Sequence, residues 1–129
     1  MANELNHLIV HCHDRHVTAG FLARLLAAPP PKDIWAFTQF RTSNGVDIDF
    51  ADGLLGKADI DMSHIAFLVT EQEFDDIFGR IREESIRYWA DPTRNREGEI
   101  NRNDGGRGVY VLDPGGTVAI EFITRPYAG

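Results

Sequence analysis

Four ionisable side chains of this sequence each stand next to apolar residues within strand-like stretches. They are His7 in ELNHLIVHC (4–12), Asp49 in VDIDFAD (46–52), His64 in MSHIAFLVT (62–70) and Glu121 in RGVYVLDPGGTVAIEF (107–122). A carboxylate flanked by Ile120 and Phe122 belongs on a solvated face or needs a partner, because burying it alone costs several kcal/mol. A metal ion is one such partner. Imidazole nitrogen is a donor of intermediate softness and carboxylate oxygen a hard one, a mixture that suits Fe(II), Mn(II), Ni(II), Co(II) or Zn(II). The expected cofactor is therefore one divalent ion.

The four residues form two matched pairs. Asn6-His7-Leu8 corresponds to Ser63-His64-Ile65, and Ile48-Asp49-Phe50 to Ile120-Glu121-Phe122, so each half of the chain brings one imidazole and one acid. His7 and Asp49 are 42 positions apart and His64 and Glu121 are 57, an excess of 15 that nearly equals the polar stretch 92–106. Either that stretch is an insertion over a shared cavity, or the first half has lost a short strand near its prolines.

The elements that must position these residues repeat in the same way. The run 4–12, rich in Leu, Ile and Val, reads as a mostly buried strand. Asp14 can cap a helix over DRHVTAGFLARLLAA, with Val17, Phe21 and Leu25 at helical spacing, and PPPK (29–32) ends it. DIWAFTQFRT (33–42) is strand-like, and Asn44-Gly45 before the alternating VDIDFAD signals a hairpin. After the Gly- and Asp-rich connection 52–61 a second strand opens at MSHIAFLVT. Thr70 and Glu73 then form a capping box for a helix with Phe74, Ile77, Phe78 and Ile81 on one face. IRYWAD (86–91) reads as a short strand, 92–106 as a polar loop, and the residues around Asp113-Pro114-Gly115-Gly116 as the last two strands.

Composition bounds the alternatives. With 129 residues the chain has the size of one compact domain. Its 13 Lys and Arg against 20 Asp and Glu leave a net charge of −7, which argues against nucleic acid as a partner. No apolar run approaches the roughly 18 residues of a membrane span. MANELNH lacks the basic and apolar parts of a signal peptide, so a cytoplasmic protein with no membrane partner is expected. The single cysteine, Cys12, excludes an internal disulfide framework and reads as core filler.

Paired strand-helix-strand modules, an x-His-[Leu/Ile] start in each, GGRGVYVLDPGG and the IEF ending together resemble the vicinal oxygen chelate superfamily. That group includes glyoxalase I, the extradiol dioxygenases, methylmalonyl-CoA epimerase and the fosfomycin- and bleomycin-resistance proteins. The resemblance covers essentially the whole chain. It implies an α+β fold of two βαβββ modules in tandem (about 4–52 and 62–125) within a single domain 1–129, forming a curled mixed sheet around a metal-binding cavity. It places His7, His64 and Glu121 at the three recurrent metal positions. Asp49 falls where the glyoxalase I branch carries a fourth ligand, a Glu; being one methylene shorter, it serves either as ligand or as a free general base. Thr117 departs from the DPDGH pattern of many members, at a position that is not a recurrent ligand. The implied chemistry is chelation of vicinal substrate oxygens by the ion, with glyoxalase-like isomerisation or lyase chemistry first, extradiol-type ring cleavage second and thiol transfer to an antibiotic third. From another class comes a metal-free drug- or metabolite-binding protein of the bleomycin-resistance type. By the same resemblance a homodimer is expected, since such modules often pair across chains.

The remaining candidates concern substrate. Tyr110 falls where fosfomycin-resistance members carry a substrate-contacting tyrosine, and is assigned with Glu121 and Asp49 to the catalytic set. His11 shares the strand face of His7 by the period of two. Arg102 and Arg107 flank the 92–106 loop and can hold an anionic substrate; the loop itself has the length and glycine content of a lid or of an ordinary mobile surface loop. Trp35, with Phe37, Tyr88 and Trp89, can form an aromatic wall. His13 and His16 in HCHDRH read as solvated residues around a helix N-terminus.

Overall fold

A computed structural model describes residues 3–127. The first module runs β1 (His7–His11), α1 (Arg15–Leu26), β2 (Lys32–Ile34), β3 (Phe37–Arg41) and β4 (Asp47–Ala51); the second runs β5 (Ser63–Leu68), α2 (Glu71–Glu83), β6 (Gly108–Leu112) and β7 (Val118–Ile123). Each module builds one open mixed sheet, in the order β1-β4-β3-β2 and β5-β7-β6, with the first strand parallel to the last. The architecture is the expected α+β tandem.

Register confirms the internal repeat to the residue. His7 pairs with Asp47, two positions before Asp49, and His64 pairs with Ala119, two positions before Glu121. Side chains alternate across a strand, so His7, Ile9, His11 and Asp49 share one face of the first sheet, and His64, Ala66, Glu121 and Tyr110 one face of the second. The opposite faces carry the core: Val10, Phe40, Ile48 and Phe50 from one sheet, Ile120, Phe122, Val109 and Val111 from the other.

Local chemistry explains both helices. Asp14 accepts hydrogen bonds from the backbone N–H groups of His16 and Val17, and α1 ends at Ala27, whose φ of 50° is left-handed, two residues before the prolines. Thr70 and Glu73 make the reciprocal capping box of α2. Phe74, Ile77 and Ile81 are buried as the spacing predicts, each such side chain contributing about 1.5–3 kcal/mol. On α1 the stripe is shifted: Val17 is exposed, and Thr18, Phe21, Leu22 and Leu25 face inward.

Three further expectations are corrected. The stretch 33–42 is two strands, because the chain reverses at Trp35, where φ is 53°; the short strand after the prolines is present, and the 15-residue excess belongs to 92–106. The stretch 86–91 forms only isolated bridges, Trp89 to Tyr110 and Trp89 to Glu97. The loop is pinned by the bridge between Asn101 and Gly108 and by Asp91, which accepts from the backbone of Asn95 and Arg96.

The modules meet through side chains. Phe40 packs edge-on to Phe67 at 6.3 Å, Arg80 donates to the Leu25 carbonyl at 2.8 Å, and the Thr18 hydroxyl donates to Asp113 at 2.7 Å. No helix among the described residues is long and apolar enough to cross a membrane.

Candidate metal centre

The second sheet assembles half of the expected site. Glu121 lies on the central strand β7 between Ala66 of β5 and Tyr110 of β6, and is 1% exposed. Nε2 of His64, one register step from it on the same face, stands 2.9 Å from Glu121 Oε1. The distance suits a pair of ligands on one ion: donors about 2.1 Å from a metal and at right angles are about 3.0 Å apart. The Tyr127 hydroxyl donates to the other oxygen, Oε2, and the Tyr110 hydroxyl lies 2.9 Å from that of Tyr127. The Tyr110 ring meets His64 edge-on at 5.8 Å. Burial, reinforced by the Glu121 carboxylate, pushes the Tyr110 phenol well above its ordinary pKa.

His7 is not part of this cluster. It sits exposed on the first sheet, and among the described residues no three His, Cys, Asp or Glu side chains gather closely enough to hold an ion. The triad expected of His7, His64 and Glu121 is therefore not assembled among the described residues of one chain: His7 belongs to the first sheet, whereas His64 and Glu121 share a face of the second. His7 is nevertheless prepared. Its Nδ1 lies 2.7 Å from the Asn6 side-chain oxygen, a bond that as Nδ1–H fixes the tautomer and leaves the Nε2 lone pair free.

The other candidates divide. Asp49 is half-buried on the His7 face, accepting from Gln39 Nε2 at 3.0 Å, and His11 on that face is half-buried with no partner for Nδ1. Trp35 projects from the β2–β3 turn and is 84% exposed, packed edge-on to Phe37 at 5.7 Å, while Trp89 is buried against the β6 edge; no single aromatic wall forms. Arg107 is corrected outright. Its guanidinium is bound to Glu71 and Asp75 of α2 and lies over Phe74, so it fastens helix to sheet instead of facing a substrate. Arg102 is exposed in the loop. His16 pairs with Asp33 beside the α1 N-terminus. Tyr127 escaped the sequence reading, since a lone tyrosine beyond the last strand carries neither period nor motif.

Two modules of strand, helix and returning strands, with a histidine on the first strand of each and a carboxylate on the last, define a class, and the chain belongs to the vicinal oxygen chelate superfamily. Neither a protein-family model nor a curated protein matches the sequence. Among solved structures it is similar to Oxidase ChaP-H1, with 50% identity and a TM-score of 0.90 over 99% of this chain and 100% of that one. It is also similar to Oxidase ChaP-H2, with 46% identity and a TM-score of 0.91 over 100% and 98%. A glyoxalase/dioxygenase from Nostoc punctiforme shares the fold at 21% identity, with a TM-score of 0.64 over 95% and 91%.

Proposed function

We propose that the protein is a divalent-metal-dependent oxidase acting on a small substrate with neighbouring oxygens, and that two copies of the chain complete its site. The observation that carries the reading is the 2.9 Å pair of His64 and fully buried Glu121, a donor set that fits one ion and lacks a third ligand. The partner's His7, with its free Nε2, supplies that ligand. Apolar residues left exposed on or beside the ligand-bearing faces support the pairing: Ile9 and Trp35 on the first module, Met62 and Leu68 on the second.

An ion held by two imidazoles and one carboxylate supplies Lewis acidity with open positions for vicinal oxygens and, with iron, a redox couple. The chain's own residues do the rest. The Tyr110 hydroxyl, whose own proton goes to Tyr127, accepts a hydrogen bond from a substrate hydroxyl beside Glu121. Asp49 arrives with the partner's His7 and, held only by Gln39, accepts a proton as general base. The similarity to the oxidases ChaP-H1 and ChaP-H2 supports oxidation over the isomerase or lyase chemistry that the family resemblance places first.

Complementation tests the shared site. His7→Ala and His64→Ala, each purified alone, are expected to hold no ion by mass spectrometry; refolded together, they regain about a quarter of the parent's metal, since half the dimers are mixed and each has one intact site. No recovery would put all three ligands in one chain. For the chemistry, Fe(II)-loaded protein is offered ortho-diphenols with dioxygen uptake recorded, and hemithioacetals without oxygen. Uptake dependent on Glu121 supports the oxidase, anaerobic turnover of hemithioacetals restores the isomerase, and stoichiometric ligand binding by a parent that takes up no metal leaves a binding protein.

A further inference from the structure

The buried carboxylate of Glu121 has two oxygens in two environments. Oε1 faces His64, whereas Oε2 accepts the hydroxyl of Tyr127, six positions further along the chain. A phenol has one O–H, so Tyr127, which spends its proton on Glu121, must accept from Tyr110. The relay therefore runs in one direction, from Tyr110 to Tyr127 to Glu121.

The segment that brings Tyr127 back is seated by the fold. Beyond β7, the Thr124 N–H donates to the Arg107 carbonyl at 3.0 Å and the Arg107 N–H to the Thr124 hydroxyl at 2.8 Å. Gly106 makes the passage possible: a Cβ there would stand 2.7 Å from Thr124 Oγ1 and 2.9 Å from Arg125 Cγ, closer than side chains tolerate. Pro126 then restricts the backbone just before Tyr127. The ring of Tyr127 is about half exposed, so its inward hydroxyl, and not burial of the ring, is what the segment delivers.

We propose that Tyr127 is a positioning residue of the metal centre, holding Glu121 by Oε2 so that Oε1 is presented beside His64 for the ion. This rests on the reading of His64 and Glu121 as ligands. A free carboxylate swings about its terminal bond, while one tethered at a single oxygen offers the other in a fixed direction. Loss of such an outer partner lowers metal affinity about 10- to 100-fold.

The experiment is calorimetric titration of Co(II) into metal-stripped parent, Tyr127→Phe, Gly106→Ala and Glu121→Ala, with the visible spectrum of each Co(II) form and a thermal melt. Tyr127→Phe removes one oxygen from a half-exposed side chain. It is expected to melt like the parent, to bind about 10-fold or more weakly and to show displaced Co(II) bands. Gly106→Ala, which dislodges the returning segment, shifts in the same direction. Parent-like affinity and spectrum in Tyr127→Phe, with binding abolished in Glu121→Ala, would overturn the role of Tyr127 alone. Equal binding by the parent and Glu121→Ala would overturn the metal centre on which it depends.

Discussion

Glu121 shows why single residues here must be weighed with what surrounds them. A carboxylate almost wholly removed from water, whose partners among the described residues are one imidazole and one phenol, is incompletely compensated until a cation arrives. Glu121→Gln should consequently leave the metal-free protein as stable as the parent or more so. A saturating divalent ion should raise the parent's melting temperature and not the variant's; at 100 times the dissociation constant the gain is about 2.7 kcal/mol. Differential scanning fluorimetry with and without metal checks both signs. Cys12 is the opposite kind of residue. Fully buried, with its thiol pushed by burial from the ordinary 9.0 to about 11, it carries roughly 100-fold less thiolate than a free cysteine at any pH well below 9. Iodoacetamide should label it at neutral pH only after unfolding, and rapid labelling of the folded protein would contradict its placement. The candidate ligands were legible because the chain repeats itself: an apolar strand that opens at His7, matched 57 positions later at His64, is a signal that neither His carries alone. Arg107 was misread because sequence shows that an arginine flanks a loop and not that Glu71 and Asp75 lie one helix face away.

At the scale of elements, the turn between β6 and β7 carries more than its five residues suggest. Asp113 is buried and accepts the backbone N–H groups of Thr117 and Val118 and the hydroxyl of Thr18 on α1, so one carboxylate closes the hairpin and ties it to the other module. Asp113→Ala would strand three buried donors and should cost on the order of 3 kcal/mol, whereas Thr18→Val, which removes only the link to α1, should cost about 1 kcal/mol. Urea denaturation midpoints distinguish the two, and equal losses would show that the inter-module bond carries the whole effect. Helices, caps and the DPGG turn were readable because their causes are local. The reversal at Trp35 was not: a bulky residue at positive φ violates the preference that sequence reading relies on. A strained turn that holds up an almost fully exposed tryptophan suits a contact beyond the chain. Trp35→Ser is expected to shift the protein toward monomer in sedimentation velocity and, with it, to lower metal retention.

For the whole molecule, the two open sheets explain why the site was legible as a list of residues and not as a place. Sequence supplied His7, His64 and Glu121, but the angle between the faces that bear them is set by long-range packing of α1, α2 and the Phe40–Phe67 contact, for which no periodicity codes. Among the described residues no hydrogen bond between backbone groups joins 3–52 to 62–127; the seam is crossed by side chains alone. Native-state hydrogen exchange should accordingly resolve two cooperative units divided near residues 53–61, where a single-unit protein would open all at once. That seam has a historical reading as well. Halves that share no ladder, match in register and each carry one imidazole and one acid are what duplication of a half-length gene leaves behind. The product of such a gene would have carried both sets of ligand positions on one short chain, free to pair with its own copies before the two were ever joined.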